Sequence, residues 1–98
     1  NERIRLLWEE AKTVLRNADE VIIIGYSFPD YDVRMRKLFS EALRSDVSLK
    51  VVDYASFGDD EDSMASRIKE KYKQMFPRIR KDPVVCLHGF EGYLNNLL

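Results

Sequence analysis

Paired cysteines, long apolar runs and an excess of charge of either sign are all missing from this sequence. Its single cysteine, Cys86, excludes an internal disulfide. No stretch approaches the roughly 20 consecutive apolar residues that a helix needs to cross a bilayer. With 16 basic and 17 acidic residues the formal net charge is -1, so no overall field attracts nucleic acid or an anionic membrane. These absences predict a protein of the reducing cytoplasm that binds neither nucleic acid nor membranes.

Size and composition indicate one folded domain over residues 1–98. The 98 residues are enough for one hydrophobic core and too few for two. A composition of 45% hydrophobic and 34% charged residues suits amphipathic elements and argues against disorder. The chain opens on Asn1, and a charged, helix-like pattern starts at once, without the apolar core of a signal peptide. We therefore expect a single domain that is a fragment of a longer protein.

Apolar periodicity divides the chain into alternating helices and strands. Three segments have the three- and four-residue apolar spacing of an amphipathic helix, and a short closing helix follows them: residues 4–18, 35–43, 64–76 and 91–98. Three runs rich in β-branched residues separate them: residues 21–24, 49–52 and 84–87. The first run is unbroken, which is typical of a parallel strand covered on both faces. The order predicts an α/β fold, half of a doubly wound Rossmann-like fold, with a three-stranded parallel sheet flanked by helices.

Two loops follow the carboxyl ends of the first two predicted strands, where ligands bind in open parallel sheets. The first loop, residues 25–32 (GYSFPDYD), begins with Gly25 and carries the hydroxyl of Ser27, and the second begins with Asp53. Gly25 lets a phosphate or ribose approach the backbone, and Asp53 can accept hydrogen bonds from ribose hydroxyls. The same residue types also serve as turn and cap residues, so the pattern alone leaves both interpretations open.

A family resemblance favours the first interpretation. The run DEVIIIGYSFPDYDVRMRKL at residues 19–38 resembles the distal, C-terminal half of bacterial sirtuin-like domains, in which a strand is followed by GYS, a proline, an aspartate and an arginine-rich helix. LKVVDYAS at residues 49–56 resembles the next strand with its nucleotide-side loop, and GFEGYL at residues 89–94 resembles the closing segment. The resemblance implies NAD binding, with deacylation in true sirtuins and NAD cleavage in many bacterial defence relatives.

The resemblance also implies which residues contact the nucleotide. It places Gly25, Tyr26 and Ser27 in the lining of the dinucleotide pocket, and Asp53 at the position, commonly Asn, that contacts the adenosine ribose. The family's Gly-rich opening loop, Asn-Asp pair and catalytic histidine lie upstream of this half, and this sequence contains none of them. We therefore expect no catalytic residue here, and NAD or ADP-ribose to bind together with an upstream half of the same protein, whose parent binds or hydrolyses NAD.

The other residues with reactive or charged side chains fit structural roles. His88 follows the GYS strand, whereas the family's histidine precedes it, so we interpret His88 as a loop residue. Cys86 lacks the second Cys or His of a zinc site and is expected to be a small buried apolar residue. The acidic run at residues 59–62 lacks calcium-loop spacing and is interpreted as a helix cap, so we expect no metal site. The basic loop at residues 78–81 could contact a phosphate or another subunit, but a loop on the outside of a sheet usually carries such charges to stay solvated, and we favour that interpretation.

The first strand also suggests a second kind of function. Nothing charged lies within Val21–Ile24 to discourage edge pairing, so we expect a homo-oligomer through this edge, or the first helix folded over it. The alternative function is a non-enzymatic α/β interaction or assembly module that uses this edge and the arginine-rich second helix. A receiver-like regulator would need clustered acidic residues at the strand ends, and only Asp53 meets that requirement.

Overall fold

A computed structural model of the protein describes residues 2–25, 33–55, 58 and 60–97. Four helices alternate with three strands in these ranges: α1 (Glu2–Asn17), β1 (Glu20–Ile24), α2 (Val33–Ala42), β2 (Ser48–Val52), α3 (Glu61–Met75), β3 (Val84–Cys86) and α4 (Gly89–Leu97). The predicted alternation is confirmed. The helices begin two or three residues earlier than the predicted apolar segments, and β3 stops one residue earlier than predicted.

The strands form one open parallel sheet in the order β1-β2-β3. Ile24 at the end of β1 pairs with Val52, and Val52 pairs with Cys86 at the end of β3. All three strands therefore end on the same side of the sheet, which we call the carboxyl edge. This arrangement is the predicted Rossmann-like α/β architecture.

One face of the sheet packs against α1, α2 and α3. Alternate strand positions point to this face, and they are all apolar: Val21, Ile23, Leu49, Val51 and Val85. The helices cover them with the apolar stripes expected from the sequence, whose members include Trp8, Ala11, Leu15, Leu38, Phe39, Ile68 and Tyr72. This layer is the hydrophobic core of the domain.

The opposite face of the sheet is only partly covered. α4 packs over β2 and β3, where it buries Val52 and its own Tyr93, and the Lys50 ammonium lies 5.8 Å from the centre of the Tyr93 ring. On β1, by contrast, Ile22 and Ile24 are 39% and 48% exposed. The prediction that the β-branched run is covered on both faces is therefore wrong for the described part of the chain, because α4 packs over the other two strands.

Arg78 anchors the loop after α3 to the end of α2. Its Nη2 donates to the carbonyl oxygens of Ser40 and Leu43, the latter at 3.1 Å, and the nearby Arg80 N–H donates to the Ser45 carbonyl at 2.9 Å. The last carbonyls of a helix lack intrahelical partners, and a cationic donor there is favourable. Arg78 is exposed, as expected for this basic loop, and it has in addition a structural role at the end of α2 that the sequence does not indicate.

An aspartate caps the start of α3. Asp60 Oδ1 accepts the N–H of Asp62 at 3.1 Å, and Asp60 Oδ2 accepts the Ser63 hydroxyl at 2.8 Å. The capping role predicted for the acidic run is confirmed at Asp60. These hydrogen bonds, first of all the one from the Ser63 side chain, hold the pKa of Asp60 below its ordinary value.

Asp60→Ala is expected to lower the melting temperature at neutral pH, with a smaller effect in acid. Because the pKa is lower in the folded state, the cap contributes stability above the unfolded pKa of about 3.9 and loses it as the pH falls through the folded value. Asp60→Asn keeps an acceptor oxygen that does not titrate, so it is the matched control. Thermal melts from neutral pH to about pH 3 measure this, and a constant gap between wild type and Asp60→Ala would contradict it.

Candidate functional site at the carboxyl edge

The carboxyl edge brings Gly25 and Asp53 together. The Gly25 N–H donates to the Val52 carbonyl at 2.9 Å, and the Asp53 N–H donates to the Cys86 carbonyl at 2.9 Å. The parallel ladder thus continues one residue beyond each strand, so Gly25 and Asp53 follow adjacent strand ends. Tyr26 and Ser27, the other two residues predicted to contact a nucleotide, lie outside the described residues.

Gly25 leaves the main chain open at the end of β1. Its φ of 66° lies in the left-handed region, which glycine adopts readily. A Cβ added there would meet no heavy atom of the described residues within 4 Å. A ligand can therefore come close to the backbone at this point.

Both backbone hydrogen-bonding groups of Asp53 have partners within the fold, whereas only one of its two carboxylate oxygens does among the described residues. The Asp53 carbonyl accepts the Gly89 N–H at 3.0 Å, while its N–H is bonded to β3. Oδ1 accepts the Tyr54 N–H at 2.8 Å, and no described residue donates to Oδ2. The partly buried carboxylate is thus held in one orientation with one oxygen available to a ligand.

Tyr54 joins the loop after β2 to the start of α4. It forms an isolated antiparallel bridge with His88, and the Ala55 N–H donates to the Leu87 carbonyl at 3.1 Å. The Tyr54 ring lies against Gly89, where an added Cβ would be only 2.5 Å from Cδ2 of the ring. Tyr54 as a whole remains 72% exposed at the carboxyl edge. The sequence alone indicates no role for Tyr54, and the glycine after the third strand is its one feature that points to this contact.

Gly89→Ala is expected to destabilise the protein more than Gly25→Ala. Both alanines must adopt a positive φ, which costs about 1–2 kcal/mol, but only the residue 89 alanine also displaces the Tyr54 ring. In the double variant Gly89→Ala/Tyr54→Ala the ring is absent, so the extra loss of stability at Gly89, relative to that at Gly25, should disappear. Urea denaturation of these variants gives the comparison. Equal losses at the two glycines, or no recovery in the double variant, would show that the ring contact is unimportant.

His88 and Cys86 line a cleft on the outer side of β3, between α3 and α4. Glu61 and Tyr93 also line it, and His88 Nε2 lies 3.7 Å from Glu61 Oε2 on exposed side chains. Cys86 is half-buried, so the prediction that it is a buried apolar residue is only partly met. The described residues contain no group of three His, Cys, Asp or Glu that could hold a metal ion. We assign no catalytic role to His88.

Comparisons with known proteins identify no relative of this chain. No family model matches it, and no curated protein or solved structure matches it either. None of the helices formed by the described residues combines the length and apolar composition needed to cross a membrane. The function therefore has to be argued from the residues at the carboxyl edge.

Proposed function

We propose that this chain is the distal half of a sirtuin-like NAD-binding domain and that its carboxyl edge forms one wall of the nucleotide pocket. The observation that supports this most is the juxtaposition of an open main chain at Gly25 with an oriented carboxylate at Asp53. In open parallel sheets, nucleotides bind at this edge. The residues proposed to contact NAD or ADP-ribose are Gly25, Tyr26, Ser27 and Asp53.

Each of these residues has a chemical role in the proposal. The Asp53 oxygen that Tyr54 leaves available accepts a hydrogen bond from a ribose hydroxyl. Gly25 lets the sugar or a phosphate lie against the main chain. The exposed ring of Tyr54 offers a face on which adenine can stack.

The charge of Asp53 determines where the phosphates lie in this proposal. A carboxylate repels phosphate, so the pyrophosphate belongs on the β1 side, toward the loop that contains Ser27. α2 begins after that loop and has no acidic residue in its first turn, but Asp30 and Asp32 stand in the loop just before it, so the pyrophosphate is assigned to residues 25–27 of the loop. The ribose is therefore assigned to β2 and the pyrophosphate to the loop after β1.

The proposal assigns binding but no chemistry to this chain. An upstream half of the same protein supplies the rest of the pocket and the catalytic histidine, and the complete domain binds or hydrolyses NAD. The present residues orient the nucleotide and have no activity on their own.

Isothermal titration of the parent protein with ADP-ribose and NAD tests the proposal. Asp53→Ala should weaken binding about tenfold or more, because a hydrogen bond to a charged group contributes about 1.5–3 kcal/mol. Ser27→Ala should also weaken it. Asp82→Ala is the matched control, since Asp82 precedes β3 at the opposite edge of the sheet and pairs with Lys73. Unchanged affinity in both the Asp53 and the Ser27 variants would reject the assignment.

A second candidate function is non-enzymatic assembly through β1. Among the described residues β1 pairs only with β2, so its outer edge presents free N–H and C=O groups, and Ile22 and Ile24 are exposed beside it. Within β1, residues 21–24 carry no charge, and an apolar edge of this kind is a template for pairing with another strand. We propose a second copy of the chain as the partner if the nucleotide test fails.

Proline substitution distinguishes edge pairing from damage to the sheet. The Gly25 N–H faces β2, so alternation directs the Ile23 N–H toward β2 and the Ile22 N–H toward the free edge. In sedimentation, the wild type should be dimeric and Ile22→Pro monomeric and folded, whereas Ile23→Pro should disrupt the sheet. A monomeric wild type with fast amide exchange at Ile22 would exclude assembly through this edge.

A further inference from the structure

A shallow groove between α1 and α2 has an apolar floor and a charged rim. Trp8 of α1 and Leu38 of α2 form the floor, and both pack against the core. Three cationic side chains stand around them: Lys12, Arg34 and Lys37. The groove lies on the outside of the helical layer, and its residues are distinct from those assigned to the nucleotide.

The cations of this groove differ in whether they are neutralised. Lys12 Nζ lies 3.2 Å from Glu41 Oε2, so that end of the groove is paired. No carboxylate of the described residues lies within ion-pair distance of Arg34 or Lys37, and Glu41 is the only acidic residue in α2. The groove therefore has a concentrated positive charge beside the Trp8 and Leu38 floor.

We propose that this groove binds an acidic amphipathic segment of a partner protein. An apolar side chain of that segment covers Trp8 and Leu38, and its carboxylates pair with Arg34 and Lys37. These two cations are three residues apart and so lie on one side of α2, which matches carboxylates spaced three or four residues apart on a partner helix. The whole chain has a net charge of -1, so the attraction is local to the groove and favours a matched peptide over nucleic acid or a membrane.

Trp8 provides a direct probe, because it is the only tryptophan in the sequence. The ligand is a tryptophan-free synthetic peptide that alternates pairs of glutamate and leucine. It should produce a saturable change in Trp8 fluorescence. One control peptide replaces leucine by alanine and another replaces glutamate by lysine, and both should bind much more weakly. No saturable response to the first peptide, or equal binding of the alanine peptide, would overturn the proposal.

Charge reversal locates the binding site. The double variant Arg34→Glu/Lys37→Glu should lower the affinity for the acidic peptide about tenfold or more, because two attractive charge pairs become repulsive. The same variant should bind the lysine peptide more tightly than the wild type does. Arg67→Glu/Lys69→Glu makes the same change in charge at exposed positions of α3 and should leave the affinity near that of the wild type. Circular dichroism verifies that both variants are folded. Equal weakening in the two double variants would overturn the proposal.

Discussion

Leu49→Ala is expected to lower the free energy of unfolding by about 2–5 kcal/mol, the range for a buried leucine whose removal leaves a cavity. Leu49 is 1% exposed and lies on the central strand, β2, which is hydrogen bonded on both sides. A strand held in this way cannot move to fill the space, so the upper part of the range applies. Domains of this size have total stabilities of about 5–15 kcal/mol, so the substitution removes a large part of the whole.

The control for this effect is the same substitution on the surface. Leu6 on α1 is 52% exposed, and Leu6→Ala should change the stability by about 0.5 kcal/mol or less. Urea denaturation monitored by circular dichroism gives both values. If the free energy of unfolding falls with urea concentration at the same slope in both variants, the substitutions changed stability and not the surface exposed on unfolding. Similar losses for the two leucines would mean that β2 is not the centre of the core.

Tyr72→Ala is expected to cost about 3–5 kcal/mol, as for other large buried aromatic residues. Tyr72 is 2% exposed, and its ring centroid lies 6.2 Å from that of Phe76, which is 6.2 Å from that of Phe39. This row of rings attaches α3 to α2 across the core. Removing the first ring leaves a cavity and removes one of the aromatic contacts.

Two further variants serve as controls. One separates the contribution of the Tyr72 ring from that of its hydroxyl, and the other compares a buried tyrosine with an exposed one. Tyr72→Phe keeps the ring and should lose no more than about 1 kcal/mol, the usual upper contribution of a hydroxyl group that makes one hydrogen bond. Tyr54→Ala makes the same deletion at a mostly exposed tyrosine and should have a small effect on stability. A Tyr72→Ala loss no larger than that of Tyr54→Ala would be inconsistent with the core described above.

Local sequence patterns carry most of the information about this fold. The apolar spacing around Ile68 and Tyr72 predicts the buried side of α3, because a helix repeats every 3.6 residues. The β-branched run of β1 identifies a strand. Because the run places apolar residues on both faces of the sheet, it could not show that the face with Ile22 and Ile24 is exposed. The sequence predicts that the closing helix begins at residue 91, because glycine is a poor helix former, whereas Gly89 is the first residue of α4 and has a positive φ.

Contacts between distant residues could not be predicted in this way. The Arg78 guanidinium reaches carbonyls at and just beyond the end of α2, 38 and 35 positions earlier in the chain, and no local pattern encodes that pairing. The contact between Tyr54 and Gly89 likewise depends on how the loop after β2 crosses the end of β3. Only the folded chain shows that Tyr54, His88 and Gly89 lie together at the carboxyl edge.

The proximity of Gly25 and Asp53 was predictable, because parallel strands that are neighbours end on the same side of a sheet. What the sequence did not show is that the Asp53 backbone is fully bonded and that Tyr54 orients its carboxylate. The nucleotide proposal rests on this local geometry together with the family resemblance of the GYS loop.

The most direct measurement is a two-dimensional ¹H–¹⁵N spectrum of this chain during titration with ADP-ribose. With half of a pocket we expect weak binding, with a dissociation constant of about 1 mM. The amide signals of Gly25, Asp53 and Tyr54 should move and saturate, while those of Ser48 and Val84 at the opposite edge stay in place. Shifts at Ser48 and Val84 instead, or no shifts at Gly25 and Asp53 at high ligand concentration, would contradict a nucleotide site at the carboxyl edge.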